Sequence, residues 1–280
     1  MKGKLLSLTI LLVVSKAATQ TLPGKISESD FCIGKSMTIE SSILNEARDL
    51  NIYLPLNYSV DSLKTYPVIY LFDGSKDEDF IHISGIVQFG SFSWINMIPE
   101  SIVVGIGNVD RRRDFTYPSN SKRDQKEFPT TGKSEYFIQF LETELQPFID
   151  ATFRTNQIKT VIGQSLGGLL ATEILIKKPN LFDNYIIVSP SLWWDDEKLL
   201  DNEFTSLDSI ESIYVAVGKE GEVMERTAEE LFRKIEKHIE KDNNNGPEYF
   251  FELFEDKTHG DVLHVAAYNA LEKIFKPTKE

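Results

Sequence analysis

The sequence predicts a three-layer α/β sandwich, a mostly parallel sheet covered by helices on both faces. Three observations predict it. Short apolar strand-like runs alternate with helical stretches along the chain. Those runs are apolar throughout instead of alternating, as strands buried on both faces are. Finally, Gly163-Gln164-Ser165-Leu166-Gly167 lies between a β-branched run and an apolar stretch of helical character. That is the strand–turn–helix context of a nucleophile elbow, a strained turn that presents a serine above the carboxyl edge of a sheet.

The elements follow in order. Residues 1–17 read as an export signal, with Lys2 and Lys4 before the apolar run 5–14 and small residues at Ser15-Lys16-Ala17. That run is too short to cross a bilayer as a helix. Residues 18–35 are a polar, irregular lead-in, and 36–280 read as one domain because no Pro/Gly/Ser linker divides them. Residues 37–43 and 50–54 predict edge strands of a hairpin turning around Asn45-Glu46-Ala47-Arg48. Residues 67–72 and 101–106 predict buried parallel strands that stop at Asp73-Gly74 and Gly107-Asn108. Phe137, Ile138, Leu141, Leu145 and Phe148 recur at helical spacing over 136–148. Strand 157–162 enters the elbow and helix 168–177 leaves it. Strand 185–188 ends in Ser189-Pro190-Ser191, and strand 212–217 in Gly218-Lys219-Glu220. A charged helix over 223–241 is closed by Asn243-Asn244-Asn245-Gly246, and strand 249–254 and helix 262–275 end the domain.

Charge and cysteine content exclude several classes. The net charge is −13, and residues 1–17 hold three lysines and no acids, so the processed chain carries −16. Such a protein is not expected to bind nucleic acid or, once the signal is cleaved, anionic membranes. Cys32 is the single cysteine; it has no partner for a disulfide or a thiolate metal site, and is expected to be buried or inert.

A serine hydroxyl needs a base, and the base an orienting group. In an α/β-hydrolase sheet these arrive in the order Ser, acid, His, each just past a strand end. Ser165 is the candidate nucleophile. His259, in Lys257-Thr258-His259-Gly260, follows the last strand and is the candidate base. His264 reads as a packed helix residue, His238 as solvated, and His82 as structural or lining a pocket. Glu220 and Glu222 both follow the strand ending at Val217; Glu220 is nearer the strand end and favoured, and a Ser–His dyad needs neither. The oxyanion hole calls for two donors, the backbone N–H of Leu166 and, from the Asp73-Gly74-Ser75 turn, that of Ser75. Gly74 is expected to let the backbone approach the substrate, with Asp73 shaping the turn through its own side chain.

These residues carry a resemblance. Tyr70-Leu71-Phe72-Asp73-Gly74, Gly163-Gln164-Ser165-Leu166-Gly167-Gly168, Ser189-Pro190-Ser191-Leu192-Trp193-Trp194 and Thr258-His259-Gly260 resemble the putative esterase family of α/β-hydrolases. Residues 102–106, 112–116 and 148–150 fit its siderophore (enterochelin and bacillibactin) esterase-like branch, and the resemblance covers roughly 35–276. It implies Ser165 as nucleophile, His259 as base and the Ser75 and Leu166 amides as oxyanion donors. Gln164 stands where many relatives have His, a position outside the chemistry, and the 218–222 region leaves both glutamates open.

Arg111-Arg112-Arg113 is unusual in so acidic a chain and lies just past a strand end. It predicts either recognition of an anionic ester, with Arg112 as the representative residue, or a loop held by Asp110 and Asp114. Trp193 is expected to wall the substrate pocket, with one of Trp193 and Trp194 in the core. The expectation is a secreted or periplasmic serine esterase acting on a small-molecule ester through an acyl-enzyme, without cofactor or metal. An acyltransferase with the same triad and a non-catalytic binding protein are the alternatives.

Overall fold

The computed structural model describes residues 22–56, 58, 63–241 and 246–275. The proposed export signal and Asn243-Asn244-Asn245 lie outside them. The chain divides into two compact units, one ending at Cys32 and one beginning at Ile33. Residues 22–32 have no regular secondary structure and are exposed, Cys32 included. Of the two expectations for that thiol, buried or inert, burial is not found: it precedes the first strand and belongs to no packed element.

The second unit is built on one eight-stranded sheet. Its strands are β1 (Lys35–Ser41), β2 (Glu46–Tyr53), β3 (Tyr66–Leu71), β4 (Ile102–Ile106), β5 (Thr155–Gln164), β6 (Asn184–Val188), β7 (Ser212–Gly218) and β8 (Glu248–Phe254). They lie in the order β1-β2-β4-β3-β5-β6-β7-β8. β2 runs antiparallel to β1 and to β4; the other pairs are parallel. The parallel arrangement is the α/β-hydrolase fold, as expected.

The helices are α1 (Phe80–Gly90), α2 (Arg111–Phe115), α3 (Lys122–Glu127), α4 (Ser134–Phe140), α5 (Gln146–Thr152), α6 (Leu166–Lys177), α7 (Glu222–Lys241) and α8 (Val262–Phe275). Alternate residues of each central strand feed two cores. On one face Val68, Tyr70 and Phe72 pack with residues of α4 to α7, among them Phe140, Ile174 and Leu231. On the other, Ile69, Leu71, Val103 and Tyr214 pack with Ile83 and Val87 of α1 and Ala266 and Ala270 of α8. A strand buried on both faces needs no polar alternation, hence the unbroken apolar runs.

Three local differences have physical causes. The hairpin turns earlier than expected, because Asn45 takes the left-handed conformation (φ 54°) and β2 begins at Glu46. Arg48, expected in that turn, is fully buried in β2, where it pairs with Glu46 and Asp114. The predicted helix 136–148 becomes α4, a π-helical turn Leu141–Leu145, and α5. Pro147 has no N–H to give the preceding turn, and the π-turn absorbs the fault.

Candidate active site

The carboxyl ends of the parallel strands meet along one edge, and every expected site residue lies on it. β5 delivers Ser165, whose φ of 60° and ψ of −119° lie outside both helix and strand regions. Backbone strain of this kind costs about 1–3 kcal/mol and persists only where the surroundings impose it. They do so here: Ser165 N–H donates to Val188 O at 3.1 Å, and its carbonyl accepts from Leu169 N–H at 2.9 Å and Ser191 N–H at 3.0 Å. The crowding explains Gly163: a Cβ there would fall on the Gly167 carbonyl, 2.6 Å from its carbon.

His259 and Glu220 come together from β8 and β7. His259 Nδ1 lies 2.5 Å from Glu220 Oε2, and the Glu220 side chain is 3% exposed against 48% for His259. Glu220 Oε1 accepts from the Ser189 hydroxyl at 2.5 Å and from Gly218 N–H at 3.0 Å. Burial pushes the Glu220 carboxyl up, but the bonds from His259, Ser189 and Gly218 outweigh it and hold it below the usual carboxylate range. Glu222 is exposed at the start of α7. The geometry thus separates two glutamates that the sequence left close. Ser165 Oγ has Ser191 Oγ at 3.4 Å as its side-chain partner, and among the described residues no hydrogen bond joins Ser165 to His259.

Around the first loop, the structure gives Gly74 a different role from the one expected. A Cβ on Gly74 would fall 2.5 Å from Ile106 N and nearer still to Gly105 Cα, so the missing side chain admits β4, not a substrate. Its N–H donates to Ile106 O at 3.0 Å and its carbonyl accepts from Asn51 Nδ2 at 2.9 Å. Ser75 N–H points at the Glu78 carboxylate, 3.4 Å away, an exposed and weakly held acceptor. Leu166 opens α6, so its N–H has no acceptor within the helix. The Asp73 side chain does not bond its own turn. It accepts from Arg111 Nε at 2.6 Å and Nη2 at 2.8 Å, and from Asn108 Nδ2 at 2.7 Å.

The three arginines therefore differ. Arg111 is committed to Asp73, and Arg113 to Glu46 and Asp114. Arg112 is exposed, has no carboxylate partner among the described residues, and lies over the Phe128 ring at 5.0 Å. Trp193, half-buried, has its ring 6.2 Å from Phe128. Trp194 is buried, and its indole N–H donates to Tyr117 O at 2.9 Å.

The other histidines do not converge on Ser165. The His82 ring lies tilted against that of His264, 4.3 Å between centres, where burial and the neighbouring His82 push His264 below the usual histidine range. His238 is packed edge-on to Phe204 at 5.5 Å and is not the solvated residue expected. Among the described residues no group of three or more His, Cys, Asp or Glu is placed to hold a metal ion. Sequence reasoning missed Ser189 as a partner of the acid and set Gln164 aside. The Gln164 amide donates to the His259 carbonyl at 2.6 Å.

Residues 41–261 match the model of a family described as Putative esterase. The chain belongs to that family. Among curated proteins it is 28% identical to the ferri-bacillibactin esterase BesA of Bacillus subtilis over 252 residues, 83% of this chain and 87% of that one. Among solved structures it is similar to an IroE-like serine hydrolase from Shewanella oneidensis, with 30% identity and a TM-score of 0.73 over 87% of this chain and 80% of that one. It is also similar to the BES protein from Bacillus cereus, with 26% identity and a TM-score of 0.76 over 91% and 99%. The family match spans β2 to β8 and the edge that carries Ser165.

Proposed function

We propose that this member of an esterase family is an exported serine esterase that hydrolyses an anionic aryl or siderophore ester through an acyl-enzyme. The observation that carries the reading is the buried Glu220 paired with His259 Nδ1 on the strand edge that presents Ser165. With Nδ1–H held by the carboxylate, Nε2 is the nitrogen left to take a proton. Rotation of Ser165 from Ser191 toward His259 would complete a Ser-His-Glu triad.

In the reaction, His259 takes the Ser165 proton as Oγ attacks the ester carbonyl, and the oxyanion forms beneath the Leu166 and Ser75 amides. The oxyanion displaces the Glu78 carboxylate from Ser75, and the positive end of α6 adds to its stabilisation. His259 returns the proton to the departing alcohol. Water, deprotonated by the same imidazole, then releases the acid and restores Ser165. No cofactor or metal enters these steps.

The substrate class rests on Arg112, Phe128 and Trp193 together with the relatives. BesA is a ferri-bacillibactin esterase, and a ferric catecholate is anionic and aromatic. The net charge, −13 for the full chain and more negative still once residues 1–17 are removed, repels such a ligand at long range. A cation without a carboxylate partner over an aromatic wall offsets that repulsion locally.

The test is hydrolysis of a ferric tris-catecholate ester beside a neutral phenyl ester, with products identified by mass spectrometry. Free acid from both, with faster turnover of the anionic ester and none by Ser165→Ala, supports the reading. Transfer to an added alcohol in preference to water would make the protein an acyltransferase. Tight binding without turnover would make it a binding protein.

A further inference from the structure

Gln164 stands next to the candidate nucleophile, and its two ends are tied to two different loops of the site. Its side-chain N–H donates to the backbone carbonyl of His259 at 2.6 Å. Its backbone carbonyl accepts from Arg111 Nη2 at 3.3 Å, and Arg111 is the guanidinium that forks onto Asp73. Asp73 begins the turn that carries Ser75 and holds a positive φ of 54°. One continuous chain of hydrogen bonds thus runs from the Ser75 turn through the elbow to the base loop.

The base loop is tied to β7 by Lys219 N–H, which donates to the Lys257 carbonyl at 2.7 Å, but that bond does not tie it to the elbow. Residues 258–260 are exposed, and the Gly260 position has open space around it. Within the loop, Thr258 N–H and Oγ1 bond Asp261 Oδ1 at 2.6 and 2.7 Å, which shapes the turn locally. Those bonds do not fix where the loop sits relative to Ser165. The Glu220 carboxylate fixes one edge of the imidazole from β7. The Gln164 amide is the contact that fixes His259 from the elbow itself, one residue from the atom that must give up its proton.

We propose that Gln164 is a positioning residue that clasps the backbone of the general base and sets the distance between His259 and Ser165. The proposal rests on the reading of Ser165 and His259 as nucleophile and base. A clasp of this kind acts on the transition state more than on substrate binding, because the alignment of proton transfer is needed only there. Misplacement of a reacting group by about 1 Å costs up to about a hundredfold in rate. Loss of one hydrogen bond that sets the alignment is therefore expected to lower kcat about ten- to a hundredfold and leave KM within about twofold.

The experiment is a cycle of Gln164→Met, His259→Ala and the double variant, read by kcat and KM on one chromogenic ester and by Tm. Methionine keeps the length and volume of the side chain and removes the amide, and with it the donor that reaches the His259 carbonyl. The expected result is a ten- to hundredfold loss of kcat for Gln164→Met, unchanged KM, and little further loss when it is added to His259→Ala. Gln164→Glu, which sets an acceptor against the His259 carbonyl, is expected to lose more than Gln164→Met. Wild-type kcat in Gln164→Met, with His259→Ala inactive, would overturn the clasp and leave the triad standing. The same fold-loss in both backgrounds would also overturn it, since Gln164 would then act through something other than His259. Normal turnover by His259→Ala would overturn the base assignment and the clasp together. A lowered Tm is met by measuring all four proteins well below their midpoints, where only the kcat pattern decides.

Discussion

Replacing Glu220 by glutamine tests the acid through a conflict written into its surroundings. Oε1 accepts from Gly218 N–H at 3.0 Å and from Ser189 Oγ, and Oε2 accepts from His259 Nδ1 at 2.5 Å. A glutamine amide can satisfy only one side with its oxygen. If its NH2 group faces Gly218, two N–H donors meet in a buried site at a cost of about 1–3 kcal/mol. If the NH2 faces His259, the imidazole answers by moving its proton from Nδ1 to Nε2, a small change for a neutral ring. The second arrangement therefore wins, and it places a proton on the nitrogen that must take one from Ser165. The Asp-to-Asn swap in a serine protease triad, which imposes the same wrong tautomer, lowers kcat about 10⁴-fold. Because His259 is about half exposed and can turn away, a loss of about 10³–10⁴ is expected here, or about 4–5.5 kcal/mol in the barrier. The assay is kcat/KM on a soluble ester for Glu220→Gln beside Glu222→Gln, with folding checked by circular dichroism. Glu222→Gln is expected to stay within twofold of wild type. A loss under tenfold for Glu220→Gln, or equal losses for the two, would refute the reasoning.

Other expectations follow from the same contacts. Burial, with Asp73 and Glu78 repelling, pushes the Asp79 carboxyl up from 3.8 to about 6. The folded protein then holds this proton longer than the unfolded chain, so stability falls as pH rises through that interval and the penalty is complete above it. Asp79→Asn is expected to gain about 1 kcal/mol at pH 8, discounted for the partly exposed site, and nothing near pH 3.5; equal gains at both, in urea titrations, would contradict this. Gly163→Ala drives a methyl group into the Gly167 carbonyl and is expected to cost about 3 kcal/mol, roughly 6–12 °C in Tm by calorimetry. A shift under about 2 °C would mean that the elbow yields. Arg112→Ala is expected to raise KM about five- to tenfold for an anionic ester and less than twofold for a neutral one, and equal effects would remove it from substrate recognition.

Much of this architecture is legible in local pattern because its causes are local. Apolar runs over Pro67–Phe72 and Ser212–Val217 read as buried strands, and Gly163 is required by the Gly167 carbonyl, a steric cause within the elbow itself. Other features depend on partners far along the chain. The run Arg111-Arg112-Arg113 looks uniform, yet Arg111 finds Asp73, 38 residues earlier, and Arg113 finds Glu46, 67 residues earlier. Arg48 looks like a turn residue until its carboxylate partners, Glu46 and the buried Asp114, are known. α1 escaped notice because Phe80–Gly90 is rich in isoleucine and glycine, residues that a helix disfavours and only packing against β4 and α8 rescues. Gln164 was set aside because a glutamine does no acid–base chemistry; its partner lies 95 residues away and is a backbone carbonyl, which no side-chain pattern marks.

The central claim is that Ser165 is an activated nucleophile, and a fluorophosphonate probe with peptide mapping by mass spectrometry tests it most directly. One adduct on Ser165, absent from Ser165→Ala and slowed in His259→Ala, is the predicted result. An adduct on Ser191, 3.4 Å from Ser165 across the site, or none on the folded wild-type protein, would contradict it.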